Sequence, residues 1–450
     1  MLRLPRVALG SIQHDISTQP MCWALMDAFR RRGRQLQHFM SRSCFCPRNG
    51  ALAITGVNSR HLDTWLMNRA VCREIFVHGC SGRDLAVIEG QFPAADGSRP
   101  HASSLDTICD WLDVPRVVVL DVSKIDHCRL AERPAQIDGL LLDGVASPGA
   151  AFRLQTSLES LWDVPVLAAL GELPRLRAAI ARLPCGAVPA IELCRDLGNE
   201  FEQFSRLDLI DSLAVRRGMP RVASTIFQSR TRRSSKHRLT VAVAYDPAFN
   251  CYFPDTLELF EMQGANVMDF SPLRDEVLPD ADVVYFGCGH PELYADALAK
   301  NHCMLLALRN HIRAGRRVYA EGGGLAYLCQ RLETSDGALA PMVGALPAVA
   351  RLNRQMEPPA PVEATLASHT WLAPAGTRLR GYLNGHWTLE PVGPLASYLA
   401  GPEHALDLVG QYQVIGSRLH LNFAAQSHLL QGFFKPRSAA LAGSAVGWHS

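Results

Sequence analysis

Short, unbroken apolar runs set apart by helical patterns constrain this chain more than any other feature. "RVALGS" (6–11), "DLAVIEG" (84–90), "RVVVLDVS" (116–123), "GLLLDG" (139–144) and "VPVLAAL" (164–170) have strand length and no polar alternation. Strands of that kind are buried on both faces, so they belong to a parallel sheet covered by helices on either side. "QPMCWALMDAFRRRG", ending at Gly33, is one such helix. The pattern predicts a first α/β domain over residues 1–215. A second begins at "LTVAVAYD" (239–246) and continues through "ADVVYFGCG" (281–289), a long helix over 292–314, "RVYAEGG" (317–323) and "PMVGALP" (341–347). Beyond residue 350, segments such as "LRGYLNGHWTLEP" and "GSRLHLNF" alternate in polarity, which predicts an antiparallel extension of the second sheet. The second domain is expected over 239–433. Residues 216–238 are basic and aperiodic and are expected as a solvated linker, and the tail 434–450 as poorly ordered.

Composition excludes several function classes. The formal net charge is +2 over 450 residues, which gives no case for nucleic acid. No apolar run reaches membrane-spanning length, and "MLRLPRVALG" lacks a long apolar core and a cleavage site, so neither a membrane span nor secretion is expected. The 13 cysteines are scattered without a CxxC pair. They are expected as reduced core thiols of a cytoplasmic protein, with a metal site or disulfide set as the alternative.

"RRVYAEGGGLAYLCQ" (316–330) reads as a buried strand, a tight glycine turn and a helix. Such junctions usually present a nucleophile, but Gly322, Gly323 and Gly324 have none to offer.

Several long stretches resemble the cobyrinic acid a,c-diamide synthase family. They are residues 244–301, from "AYDPAFNCYF" to "ALAKN", then "GRRVYAEGGGLAYL", "PMVGALP", "SRHLDTWLM" (59–67) and "DLAVIEGQFPAADG" (84–97). The resemblance covers nearly the whole chain in order. It implies an N-terminal P-loop-like domain, similar to dethiobiotin synthetase, that uses Mg-ATP to activate tetrapyrrole carboxylates. It also implies a C-terminal class I glutamine amidotransferase domain that supplies ammonia through a cysteine–histidine pair.

Position by position, the resemblance is incomplete. The family's nucleophilic cysteine falls on Gly322. His420 matches the family's base, and Asn422 replaces a second histidine. Gly287, Cys288 and Gly289 form the loop expected on the oxyanion side, and Cys288 is the one substitute thiol in reach. In the phosphate-binding loop "GSIQHDIST" (10–18), Gly10 and Thr18 remain, but His14, Ile16 and Ser17 stand where the family has Gly, Gly and Lys. Asp15 adds negative charge, and a cation from elsewhere, Arg42 or His14, would be needed. Glu89 matches the magnesium-ligand position, and Cys44 falls where the family has an acidic residue.

The expectation is a homologue that has lost glutaminase chemistry and ATP-dependent ligation. Mg-ATP should bind weakly or not at all, and no tightly bound metal is expected. The remaining role is binding a tetrapyrrole of cobyrinate or sirohaem type, or partnering an active relative as a heteromer; a homodimer is also open. The alternatives are an active synthase using free ammonia and a purely structural interaction module.

Overall fold

The computed structural model describes residues 4–42, 48–93, 104–125, 133–134, 136–219, 222–228, 238–354 and 359–435. The tail beyond Lys435, Cys44 and residues 229–237 of the basic run lie outside them. The chain divides into two compact units, Met1–Thr225 and Ile226–Ser450. The segment expected as a linker is tied to the first unit at its start. Arg217 pairs with Asp138 at 2.7 Å, and the Thr225 amide and hydroxyl donate to the buried Glu74 carboxylate.

The first unit is built on β1 (Arg6–Ser11), β2 (Leu36–Met40), β3 (Arg60–His61), β4 (Leu85–Gln91), β5 (Arg116–Asp121), β6 (Gly139–Val145) and β7 (Val166–Gly171). All pairings are parallel, in the order β3-β2-β4-β1-β5-β6-β7. The apolar runs fill these strands because each is covered on both faces. β1 lies centrally, and its carboxyl end faces those of β4 and β5, where Gly10 pairs with Gly90 and Val118. Parallel sheets place their functional groups at that edge.

The second unit carries β8 (Thr240–Ala244), β9 (Asn266–Phe270), β10 (Val283–Phe286), β11 (Arg317–Glu321), β12 (Cys329–Glu333), β13 (Leu339–Pro341), β14 (Leu346–Leu352), β15 (Ala360–Thr365), β16 (Arg378–Leu383), β17 (Trp387–Pro391), β18 (Ala396–Ser397), β19 (Leu408–Gln411), β20 (Val414–Ser417) and β21 (Leu419–His420). Its main sheet runs β18-β19-β20-β11-β10-β8-β9, parallel from β9 to β20 and antiparallel at β19 and β18. The expected antiparallel extension is thus present. It is accompanied by two further small sheets, β13-β12-β14-β17 and β15-β16-β21.

The single helix expected over 292–314 is a 3₁₀ turn (Pro291–Tyr294) followed by helices Ala295–Lys300 and His302–Arg313. Asn301 breaks it: its side chain accepts from the Met304 amide and caps the second helix, a role Asn prefers to a helix interior. Ten cysteines lie among the described residues, and eight of them are buried. Among the described residues no helix is long and apolar enough to cross a membrane.

The glycine turn after β11 is set by close packing. A β-carbon on Gly323 would stand 2.5 Å from the Gly289 carbonyl oxygen, and one on Gly324 would stand 2.5 Å from Phe286 Cβ. Helix Gly323–Leu328 therefore sits directly on β10 and the loop after it. Alanine favours a helix over glycine by about 1 kcal/mol, but overpacking a rigid contact costs about 1–3 kcal/mol. Packing should win at residue 324: Gly324→Ala is expected to lower the unfolding free energy by up to about 2 kcal/mol net, read from urea titration. A gain in stability would show that the loop yields to the added methyl group.

Candidate active site

At the end of β11, Gly322 adopts φ +51° and ψ −111°, a backbone state that strongly favours glycine. Its amide donates to the Ser417 carbonyl at 2.8 Å, which fixes the turn against β20. The strained shape of a nucleophile-bearing turn is therefore kept without the nucleophile. A β-carbon at residue 322 would lie 2.9 Å from Cys288 Sγ. The Cys288 sulfur already fills the space into which a side chain at 322 would project.

Cys288 also lies near the expected base, with Sγ 3.5 Å from His420 Nδ1. The structure thus brings together the elbow position, the substitute thiol and the histidine. A fourth residue, Glu321, joins them. Its Oε2 accepts a hydrogen bond from the same His420 Nδ1, while Oε1 accepts from the Tyr319 hydroxyl at 2.7 Å and the Leu421 amide at 3.1 Å. Glu321 is fully buried and His420 is 2% exposed, its ring stacked on Phe253 at 4.4 Å. Sequence reasoning passed over Glu321, although its place beside the elbow was a usable signal.

The chemistry available to this group follows from one detail. In a nucleophile–histidine–carboxylate relay, one ring nitrogen faces the nucleophile and the other faces the carboxylate. Here both neighbours meet Nδ1. A proton on Nδ1 satisfies Glu321 and leaves no lone pair there for the Cys288 thiol. Burial pushes that thiol well above its ordinary range, and the neighbouring Cys251 and the Glu321 carboxylate push it further. Cys288 is therefore a neutral thiol, and the thiolate is the reactive form.

The oxyanion-side loop is also engaged. The Gly287 amide donates to the Tyr252 hydroxyl at 2.9 Å, and that hydroxyl donates in turn to the Ala244 carbonyl. Gly289 packs so tightly that a β-carbon would stand 2.0 Å from the Ala248 carbonyl oxygen. Asn422 accepts from the Ala424 and Ala425 amides and so shapes the turn after β21.

In the first unit the loop after β1 leads into helix Gln19–Arg31, the place a phosphate-binding loop occupies. Asp15 takes the left-handed conformation (φ +55°), and Ile16 does not. Gln13 holds the loop against β5, donating to the Asp121 carbonyl at 3.1 Å and accepting from the Asp121 amide at 2.7 Å. Ser17 is exposed, and Pro20 in the first helical turn has no N–H to offer.

Thr18 and Glu89 meet directly, with the hydroxyl donating to Oε1 at 2.5 Å. The other carboxylate oxygen lies 3.3 Å from His38 Nε2. Burial acts to raise the Glu89 carboxyl, but His38, Thr18 and Cys22 outweigh it and hold it below its usual range. Both of its oxygens thus already face protein groups. A further cation reaches the loop: Lys124, after β5, donates to the Asp15 carbonyl at 3.0 Å. Lys124 lies 109 residues from Asp15 in sequence, so no local pattern marks it.

Residues 240–427 match the profile of a CobB/CobQ-like glutamine amidotransferase domain. The chain is 30% identical to a cobyrinate a,c-diamide synthase of Listeria monocytogenes (strain EGD-e) over 423 residues, 89% of this chain and 92% of the relative. It is 29% identical to one of Salmonella typhimurium over 90% of this chain and 92% of the relative. It is 28% identical to one of Syntrophotalea carbinolica over 95% and 98% respectively. Similarity of that level along nearly the full length of both chains, with the elbow turn in place after β11, fixes the relationship: the chain belongs to the cobyrinate a,c-diamide synthase family.

Proposed function

We propose that this chain is a family member that does not hydrolyse glutamine and that keeps its fold to bind a tetrapyrrole carboxylate of the kind the family acts on. The observation that carries the reading is the Cys288 sulfur, which lies in the space a side chain at Gly322 would take. The elbow has no nucleophile, the replacing thiol is buried and neutral, and His420 spends Nδ1 on Glu321. Mg-ATP fits the first unit poorly. Ser17 supplies no charge, Asp15 opposes phosphate, and Thr18 and Glu89 are bonded to each other rather than open to a magnesium ion.

One observation favours a second reading. Lys124 at the loop offers a cation in place of the missing lysine. If it serves, the first unit still activates a carboxylate, and free ammonia replaces glutamine as nitrogen donor. The two readings separate in one experiment. Purified protein is mixed with cobyrinic acid and with sirohaem-type tetrapyrroles, and the visible absorbance bands are followed while ATP, glutamine and ammonium are added in turn. A spectral shift without ADP release supports the binder. ADP release that needs ammonium supports the second reading. No shift with any tetrapyrrole overturns the first.

Glutamate release from glutamine is expected at the chemical background in the wild type. Gly322→Cys alone should not restore a reactive thiol, because its β-carbon meets the Cys288 sulfur. Gly322→Cys combined with Cys288→Ala removes the collision and should be alkylated at residue 322 by a diazo-ketone glutamine analogue, as seen by peptide mass. Labelling of wild-type Cys288 by the same reagent would contradict this account.

Mg-ATP is expected to bind in the millimolar range or not at all by calorimetry. Ser17→Lys should tighten binding about tenfold or more, because a charge-assisted hydrogen bond contributes about 1.5–3 kcal/mol. Low-micromolar binding by the wild type, lost in Lys124→Ala, would instead assign the cation's role to Lys124.

A further inference from the structure

A second cluster of ligand-type side chains lies in the C-terminal unit apart from the elbow group. His290 Nδ1 lies 2.8 Å from Glu292 Oε1, and His386 Nε2 lies 3.0 Å from the same oxygen. One donor atom from each residue lies within 4.8 Å of the others. The two imidazole rings are 5.3 Å apart at 75°.

The carboxylate and the imidazoles differ in access. Glu292 is 5% exposed, whereas His290 and His386 are 15% and 18% exposed, so solvent reaches the group from the histidine side. One carboxylate oxygen accepts from both rings, and the other, Oε2, is buried with no hydrogen-bond partner. An orphaned oxygen on a buried carboxylate is costly, and a purely structural His–Glu–His arrangement has no use for it.

The supporting backbone is fixed. His290 precedes the Pro291–Tyr294 turn, and its amide donates to the Ala248 carbonyl at 3.0 Å. His386 enters β17 with its amide bonded to Asn384 Oδ1 at 3.1 Å and its carbonyl accepting from the Asn353 amide at 2.9 Å. Metal sites depend on ligands held in this way.

We propose that His290, Glu292 and His386 bind a divalent transition-metal ion, zinc being the best match, through His290 Nδ1, His386 Nε2 and the Glu292 carboxylate. Two imidazoles and one carboxylate are a donor set that zinc accepts, and three protein ligands leave one position open to water. On binding, each neutral ring moves its proton to its other nitrogen and gives the freed lone pair to the metal. The orphaned Oε2 gains a cation beside it. The ion would tie the segment just after the Gly287–Gly289 loop to β17, at residues 94 positions apart in the chain. This site is independent of whether the elbow or the phosphate loop is active. Among the described residues the other two groups of this type, Cys22–His38–Glu89 and Cys288–Glu321–His420, each contain a buried thiol.

The test uses the full chain, stripped with chelator and then titrated with Zn²⁺ alone or Co²⁺ alone. One equivalent of Zn²⁺ per chain should remain after gel filtration and be countable by elemental analysis. Co²⁺ should give visible ligand-field bands with no near-ultraviolet sulfur-to-metal band. Glu292→Gln and His386→Gln should each weaken Zn²⁺ by at least about tenfold, the loss that even an outer-sphere partner can cause. Cys288→Ala and Cys22→Ala should leave it unchanged. His386→Gln acts at a partly exposed position, and circular dichroism checks that it folds. Absence of stoichiometric Zn²⁺, a sulfur-to-cobalt band, or full affinity in folded His386→Gln would each overturn the proposal.

Discussion

Two segments at the carboxyl edge of the second unit's sheet, residues 287–289 and 321–324, approach so closely that one side chain fits between them. Everything at the candidate site follows from which residue supplies it. The Cys288 sulfur occupies that space, and a β-carbon at 322 would meet it at 2.9 Å. Gly322 keeps the turn's conformation (φ +51°) at little cost because it has no β-carbon. A thiol on the elbow stands at a helix start, where N–H groups favour its ionised form. A thiol on the opposing loop fills the same gap from beneath, in apolar surroundings that favour the neutral form. The same element in nearly the same place is thus a nucleophile in one arrangement and a packing group in the other.

The first unit follows a related logic with polar groups. Thr18 and Glu89 come from β1's loop and from β4, adjacent strands whose register places Gly10 beside Gly90. With His38 on the second carboxylate oxygen, the buried charge of Glu89 has protein partners on both sides. An ion arriving there must displace hydrogen bonds before it gains any. The loop itself is held by Gln13 through backbone contacts to Asp121, so its shape persists without phosphate.

The parallel strands were legible because burial on both faces writes itself into sequence as unbroken apolar runs, as in β5 and β6. β9, "NVMDF", escaped because it is the sheet's edge and mostly exposed, so no such run is needed. β2, "LQHFM", escaped because Gln37 and His38 interrupt it; Gln37 donates to the His38 and Asn58 carbonyls and His38 Nδ1 meets the Ser59 hydroxyl, bonds invisible in the string. The helix expected over 292–314 failed at Asn301, a capping residue inside a periodic run. At the site, Gly322, His420 and Glu89 were readable from resemblance. The meeting of Cys288 with His420 was readable only as an option, since 132 residues separate them. Glu321 was marked by its place beside the elbow, whereas Lys124 and the His290–Glu292–His386 group depend on which loops the fold brings together, a property of topology rather than of local pattern.

The two altered sites differ in how deeply the change is built in. In the phosphate loop the altered positions are peripheral: Ser17 is exposed, and a lysine there would project into solvent without disturbing the core. In the elbow the change is internal. Cys288 is 1% exposed and in contact distance of His420, so a side chain returned to residue 322 displaces a packed atom. Restoring the second site therefore takes coordinated change at two positions, while the first needs one. On the proposed reading, that asymmetry makes the elbow the harder of the two sites to restore and gives the phosphate loop, with Lys124 beside it, the better physical footing for chemistry.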